Sequence, residues 1–243
     1  LKIALLLCDE SNSERLIQLG GYQNMFFDLI NPSDTLDVFP IYLNATNGAD
    51  QTAIIASFPI INDYDGFIVS GSKAGVYEDH VWLPPLFECI RHIVAKGKKL
   101  VGVCFGHQAI AYALGGKVSK SHKGWGIGHY YNEWVNCPDN PYGWHNGMPL
   151  HLLTFHQDQV DELAPGFSIL ASSEFTPYFV TQYRKQILTT QGHPEMSPQY
   201  IEGLSYLLEE QIGADVVEKG RESLLMEDDT ANFRAFIRDF WLQ

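Results

Sequence analysis

Basic residues are scarce in this chain. Lysine and arginine total 16 against 29 aspartates and glutamates, a net charge of −13 with histidine neutral. That balance lacks the positive footprint of a general nucleic-acid binder. It also lacks the basic face that holds a peripheral protein to an anionic membrane. No apolar run reaches the roughly 20 residues that a membrane-spanning helix needs. The apolar start, Leu1 to Cys8, is short and meets Asp9 and Glu10 at once. Leu7 lacks the small-residue character of a cleavage site, so the segment reads as a buried first strand and not a secretory signal. The first residue is Leu, which implies an initiator methionine further upstream. Cysteines number four, and the spacing of Cys8, Cys89, Cys104 and Cys137 fits neither a zinc knuckle nor a C-x-x-C redox pair. Four thiols without an export signal suit a reducing, cytoplasmic setting. Internal repeats and low-complexity segments are also missing.

What is present is enough apolar material for one large α/β domain: 45% hydrophobic and 19% charged residues over 243 positions. Apolar runs at 2–7, 36–43, 66–70 and 100–103 read as strands. Between them lie a mixed helical stretch at 14–30 and a helix over 86–94, with Pro84 and Pro85 at its start and Gly97 at its end. A further helix runs from Phe105 to Leu114 and closes on Gly115 and Gly116. Near-continuous apolar strands alternating with helices predict a doubly wound, mostly parallel sheet covered on both faces. Its functional residues belong at the carboxyl ends of the strands, where Gly71 and Cys104 fall. Shorter strands at 126–135, 149–155, 168–172, 178–183 and 187–190 predict antiparallel additions. Ser197 caps a helix to Ile212, with Pro198 at its first position. Phe233, Phe236, Ile237, Phe240 and Trp241 form one stripe of a last helix, expected to dock on the chain's own core. With no linker composition, residues 1–243 read as a single domain with a helical extension at about 200–243.

The segment Val101-Gly-Val-Cys-Phe-Gly-His-Gln108 puts a cysteine at a strand-to-helix turn between Gly102 and Gly106. This is the pattern of a nucleophile elbow, with Cys in place of Ser. Small flanking residues let the turn be sharp, and the amides of the following helix favour a thiolate. The backbone N–H of Phe105 is placed for an oxyanion hole. A cysteine nucleophile needs a base, and the base needs an orienting group. Of nine histidines, His193 in Gln191-Gly-His-Pro-Glu195 is best placed. Pro194 biases it toward extended backbone, where residues i and i+2 share a face, so Glu195 can hold its ring.

Gly102-Val-Cys-Phe-Gly-His-Gln108 together with Gly192-His-Pro-Glu195 resembles the class I glutamine amidotransferase family, over most of 60–196. The resemblance implies a flavodoxin-like amidotransferase fold and a Cys-His-Glu triad. Cys104 would form a γ-glutamyl thioester, His193 would shuttle the proton and Glu195 would orient it. It implies a second oxyanion donor from the loop after the third strand, here around Gly71. It also implies substrate contacts from Ser72, Gln108, Phe155 and His156. The family's usual Gly-Gly-Pro or Gly-Pro-Gly loop is replaced by Ser70-Gly-Ser-Lys-Ala-Gly-Val-Tyr-Glu-Asp79. That form resembles free-standing proteins similar to the glutaminase part of GMP synthase, and plant γ-glutamyl peptidases that act on glutathione conjugates. Lys73, Tyr77, Glu78 and Asp79 border the substrate entrance or form a solvated loop.

Two activities are therefore expected of the same site. One is a glutaminase that passes ammonia to a separate synthase subunit. The alternative is a γ-glutamyl peptidase acting on glutathione-like compounds. A catalytically silent binding module is a third reading, opposed by the intact Cys104, His193 and Glu195. No cofactor and no metal are expected: the other histidines form no i, i+4 pair. The glycine-rich stretch 123–128 matches no phosphate loop and reads as a turn into a strand. Cys8, Cys89 and Cys137 read as structural thiols, and Trp134 and Trp144 as core or rim.

Overall fold

The computed structural model describes residues 1–10, 13–43 and 51–243, with backbone alone at 51 and 52. In the first part of the chain β1 (Lys2–Leu7) leads to two short helices, α1 (Glu14–Gln18) and α2 (Tyr22–Met25), and then β2 (Thr35–Pro40). After α3 (Gln51–Ala56) come β3 (Gly66–Val69), α4 (Leu83–Ala95), β4 (Lys99–Val103) and α5 (Phe105–Ala113). The second part runs through β5 (Lys117–Lys120), β6 (Gly126–Trp134), β7 (Pro149–His156), β8 (Asp158–Glu162), β9 (Ser168–Ser172), β10 (Val180–Tyr183) and β11 (Ile187–Thr190). Four helices close the chain: α6 (Pro198–Leu207), α7 (Glu209–Ile212), α8 (Ala214–Ser223) and α9 (Thr230–Leu242).

Nine strands form one sheet in the order β2-β1-β3-β4-β11-β10-β9-β6-β7. The pairs from β2 to β11 are parallel and those from β11 to β7 are antiparallel. The parallel part is covered on both faces, so β1 is apolar at every interior position. Ile3, Leu5 and Leu7 enter the core cluster on one face, and Ala4, Leu6 and Cys8 enter the cluster on the other. This is the period-2 alternation of a doubly buried strand. Helices α4 and α5 fill the second face. The C-terminal helices cover the first, where Phe233, Phe236, Ile237, Phe240 and Trp241 are all buried. Each such side chain contributes about 1.5–3 kcal/mol of gross burial energy. Trp241 also donates its indole N–H to Leu29 O at 2.9 Å, tying the last helix to the first part of the chain.

The structure departs from the sequence reading at several boundaries. The second strand stops at Pro40 instead of Leu43, and the Ile41 amide turns back to Leu7 O and Phe39 O. The helix expected from 197 to 212 breaks at Leu208, although Ser197 caps it as expected, accepting from the Tyr200 amide. Strands β5 and β8 pair antiparallel in a separate small sheet, over residues to which the sequence pattern assigns no element. Their polar residues, Lys117 to Lys120 and Asp158 to Glu162, give little period-2 signal.

Candidate active site

Cys104 stands at the carboxyl end of β4, where the strand turns into α5. Its φ is 51° and its ψ −104°, a region that costs a non-glycine residue about 1–3 kcal/mol. The surroundings impose that conformation. The Cys104 amide donates to Thr190 O on β11 at 2.8 Å, and its carbonyl accepts from Gln108 N at 3.1 Å. The flanking glycines are required by space. A Cβ on Gly106 would lie 2.1 Å from Val69 O, and one on Gly102 would lie 2.6 Å from Ile110 Cδ1. The Phe105 N–H opens α5 and therefore has no partner in the helix. His107, the next residue but one, faces away into the core, where Nδ1 meets Thr189 Oγ1 at 2.7 Å.

His193 lines the same cleft as Cys104, and Glu195 holds its ring. His193 Nδ1 lies 2.7 Å from Glu195 Oε1, and both residues are buried. The side chains come together by a turn and not by extended backbone. The Met196 amide donates to His193 O at 3.3 Å, which places Pro194 and Glu195 at the corner, a position where proline is favoured. The His193 amide is pinned to Leu153 O on β7 at 2.7 Å. Arg234 on α9 clamps the same turn, donating to Pro194 O at 2.6 Å and Glu195 O at 3.0 Å while pairing with Asp28 at 2.7 Å. Burial by itself would depress the His193 pKa. The charges of Glu195 and of a thiolate at Cys104 outweigh it and hold His193 well above its ordinary value. His193 Nε2 is buried and has no hydrogen-bond partner in the protein.

The loop after β3 completes the floor. A Cβ on Gly71 would lie 3.4 Å from His193 Cε1 and 3.7 Å from Cys104 Cβ, so this glycine stands between the two. Its amide, expected as an oxyanion donor, is engaged by the Tyr22 hydroxyl at 2.9 Å. The Tyr22 hydroxyl in turn donates to Glu195 Oε1 at 3.3 Å. The Ser72 hydroxyl is also committed, donating to Cys8 O and accepting from the Ala74 amide, both at 3.1 Å.

A cleft of about 410 Å³ opens over these groups. Gln108, Phe155 and His156 line it, together with Ser72, Lys73, Tyr77 and Glu78 from the loop; Asp79 does not. Phe155 presents its carbonyl 4.0 Å from Cys104 Sγ. Gln108 spends its amide nitrogen on Asp158 O and Gln191 Oε1. Burial pushes His156 down to about 3, so its ring is neutral beside His193. One wall of the cleft is apolar and comes from Met196, Tyr200, Leu204, Leu207 and Leu208. The remaining expectations concern residues away from the cysteine. Trp134 and Trp144 are core residues stacked at 4.8 Å. Cys8 and Cys89 are buried, and Cys137 is half-buried. Trp125, inside the glycine-rich stretch, reaches the cleft.

Tyr22 and Arg234 were not foreseen from the sequence. Tyr22 follows two glycines in a stretch whose only signal is helical, and Arg234 is one polar residue of an amphipathic helix.

A thiol on a strained turn and a buried histidine held by a carboxylate thus meet at one cleft. The family model for "Glutamine amidotransferase class-I" matches residues 41–207, and the chain belongs to that family. "Gamma-glutamyl peptidase 4" of Arabidopsis thaliana is 33% identical over 184 residues, covering 72% of this chain and 68% of the relative. A "GMP synthase [glutamine-hydrolyzing]" of Aquifex aeolicus is 35% identical over 135 residues, or 54% of this chain and 24% of that protein. In three dimensions, the crystal structure of a glutamine amidotransferase from Thermotoga maritima superposes with a TM-score of 0.70 at 19% identity, covering 100% of this chain and 99% of the other.

Proposed function

We propose that the chain hydrolyses the amide bond of a γ-glutamyl compound through a thioester on Cys104. The observation that carries this reading is the buried His193–Glu195 pair facing Cys104 at its strained turn. Cys104 Sγ, a thiolate whose proton rests on His193 Nε2, attacks the γ-carbonyl carbon, and the carbonyl electron pair moves onto oxygen. The Phe105 N–H receives that charge; the Gly71 amide, the other donor the resemblance implies, is given to the Tyr22 hydroxyl. The C–N bond then breaks, and the leaving nitrogen collects the proton from His193. Water, deprotonated by His193, adds to the thioester; the C–S bond breaks and glutamate leaves. Glu195 orients the ring and stabilises the imidazolium. Gln108, Phe155, His156 and the Ser72 backbone hold the glutamyl end.

A γ-glutamyl peptide is favoured over glutamine as substrate. Glutamine leaves only ammonia, whereas the lining of this cleft includes the apolar side chains of Met196, Tyr200, Leu204 and Leu208, which a larger leaving group can meet. Similarity to the Arabidopsis γ-glutamyl peptidases supports the same choice. Similarity to GMP synthase supports the alternative, glutamine hydrolysis with ammonia passed to a separate synthase chain. Four free thiols support a reducing, cytoplasmic setting for either reaction. The clamp of Arg234 on the His193 turn supports treating the C-terminal helices as part of the catalytic unit. The test is glutamate release from L-glutamine and from a γ-glutamyl dipeptide with an apolar second residue, with Cys104→Ser as the blank. Cys104-dependent release, faster from the dipeptide, is expected. Release that persists in Cys104→Ser would overturn the mechanism, and faster release from glutamine would overturn the substrate choice.

A further inference from the structure

We infer that Tyr22 is a positioning residue, whose single hydroxyl joins the Gly71 loop to the Glu195 carboxylate so that the two sides of the site are set as one unit. The inference rests on the γ-glutamyl hydrolase reading above. Tyr22 lies on α2, far along the chain from both partners, yet its hydroxyl accepts from the Gly71 amide at 2.9 Å and donates to Glu195 Oε1 at 3.3 Å. The oxygen it reaches is the one that His193 Nδ1 uses. The other carboxylate oxygen, Glu195 Oε2, is buried and has no partner. Two donors therefore fix the buried carboxylate, and Tyr22 is one of them.

Two independent features support a built contact. A Cβ at position 71 would lie 2.6 Å from the Tyr22 hydroxyl, so the approach of Tyr22 accounts for the absence of a side chain there. The ring is locked by its neighbours, edge-on to Phe26 at 5.1 Å and stacked on Tyr200 at 6.2 Å. Burial, then the charges of Glu195 and Cys104, raise the Tyr22 pKa well above the ordinary tyrosine range. The hydroxyl thus keeps its proton and donates. Deleting it leaves Glu195 with His193 as its one side-chain donor, and the carboxylate is then free to rotate off the ring.

Tyr22→Phe keeps the ring and its packing and removes only the hydroxyl. Its kcat for a chromogenic γ-glutamyl anilide is expected to fall about tenfold, with KM within about twofold. Because Tyr22 acts through Glu195, the double variant Tyr22→Phe/Glu195→Gln should match Glu195→Gln within about twofold in kcat. A readout that needs no substrate runs alongside: iodoacetamide alkylation of Cys104, followed by mass spectrometry of its peptide at neutral pH. Tyr22→Phe should slow it about threefold or more, since the thiolate depends on a well-held His193. Unchanged kcat and unchanged alkylation in Tyr22→Phe would overturn the inference, and so would fully multiplicative losses in the double variant. If the wild type hydrolyses no γ-glutamyl compound, the hydrolase reading fails. The alkylation rates then decide Tyr22: slowing that vanishes in the Glu195→Gln background supports its role, and equal rates refute it.

Discussion

The two sides of the site are built in opposite ways. The cysteine side is compact in sequence: five consecutive residues, Gly102 to Gly106, contain the strand end, the strained turn and the helix start, and the neighbours that hold them are adjoining strands, Val69 on β3 and Thr190 on β11. The histidine side is assembled from distant parts of the chain. Its turn is pinned by Leu153 on β7, clamped by Arg234 on α9 and linked to Tyr22 on α2, and the Tyr22–Glu195 contact spans 173 positions of sequence. The geometry at Cys104 is thus protected by sterics, and that at His193 by a set of separable hydrogen bonds. A change on the first side should be all-or-none, and a change on the second should be graded.

The largest effect expected is that of Cys104→Ser, which should lower glutamate release by about 10³-fold or more while leaving the melting temperature within a few degrees. Gly106→Ala tests the same side through folding. Its Cβ would have to occupy space 2.1 Å from Val69 O, so we expect destabilisation of about 3 kcal/mol or more in urea unfolding, with activity lost alongside. A stable, active Gly106→Ala would remove the steric half of the contrast.

On the histidine side, Glu195→Gln should cost about 10–100-fold in kcat, less than the cysteine change. It should also move the pH profile. The folded His193 value lies above the ordinary 6.5. The proton it holds therefore stabilises the native state fully below that pH, and the contribution fades as pH rises through the raised value. The leaving nitrogen needs the same proton, so the alkaline limb of activity follows the raised value too. Glu195 is the largest influence raising it, so Glu195→Gln should shift both the alkaline limb and the alkaline loss of stability to lower pH. An unmoved limb would mean that the carboxylate does not hold the ring. The smallest effect belongs to Arg234→Met, which keeps the aliphatic stem and loses the clamp on Pro194 and Glu195. We expect about 1–2 kcal/mol of lost stability and a severalfold drop in kcat, measured by thermal unfolding and glutamate release.

The same contrast explains what the sequence made legible. The elbow at Cys104 and the covered parallel strands could be read because their signals are local: glycines at −2 and +2, apolar runs and helix caps. His193 and Glu195 could be paired because only two positions separate them, although the route is a turn and not a strand. Tyr22 and Arg234 left no mark, because a hydrogen bond across the fold has no signature in neighbouring residues. The Gly71 loop lies beside Cys104 and His193, but its amide is directed at Tyr22, a partner that only tertiary structure supplies. Strands β5 and β8 were missed because two short, mostly polar strands far apart in the chain lack hydrophobic periodicity.

The most direct test of the account is to trap the intermediate. The protein would be acid-quenched during turnover of a γ-glutamyl anilide, digested and weighed by mass spectrometry. The account predicts one γ-glutamyl group on the peptide containing Cys104, labile to hydroxylamine and missing in Cys104→Ser. Turnover with the adduct on another residue, or undiminished turnover in Cys104→Ser, would contradict it.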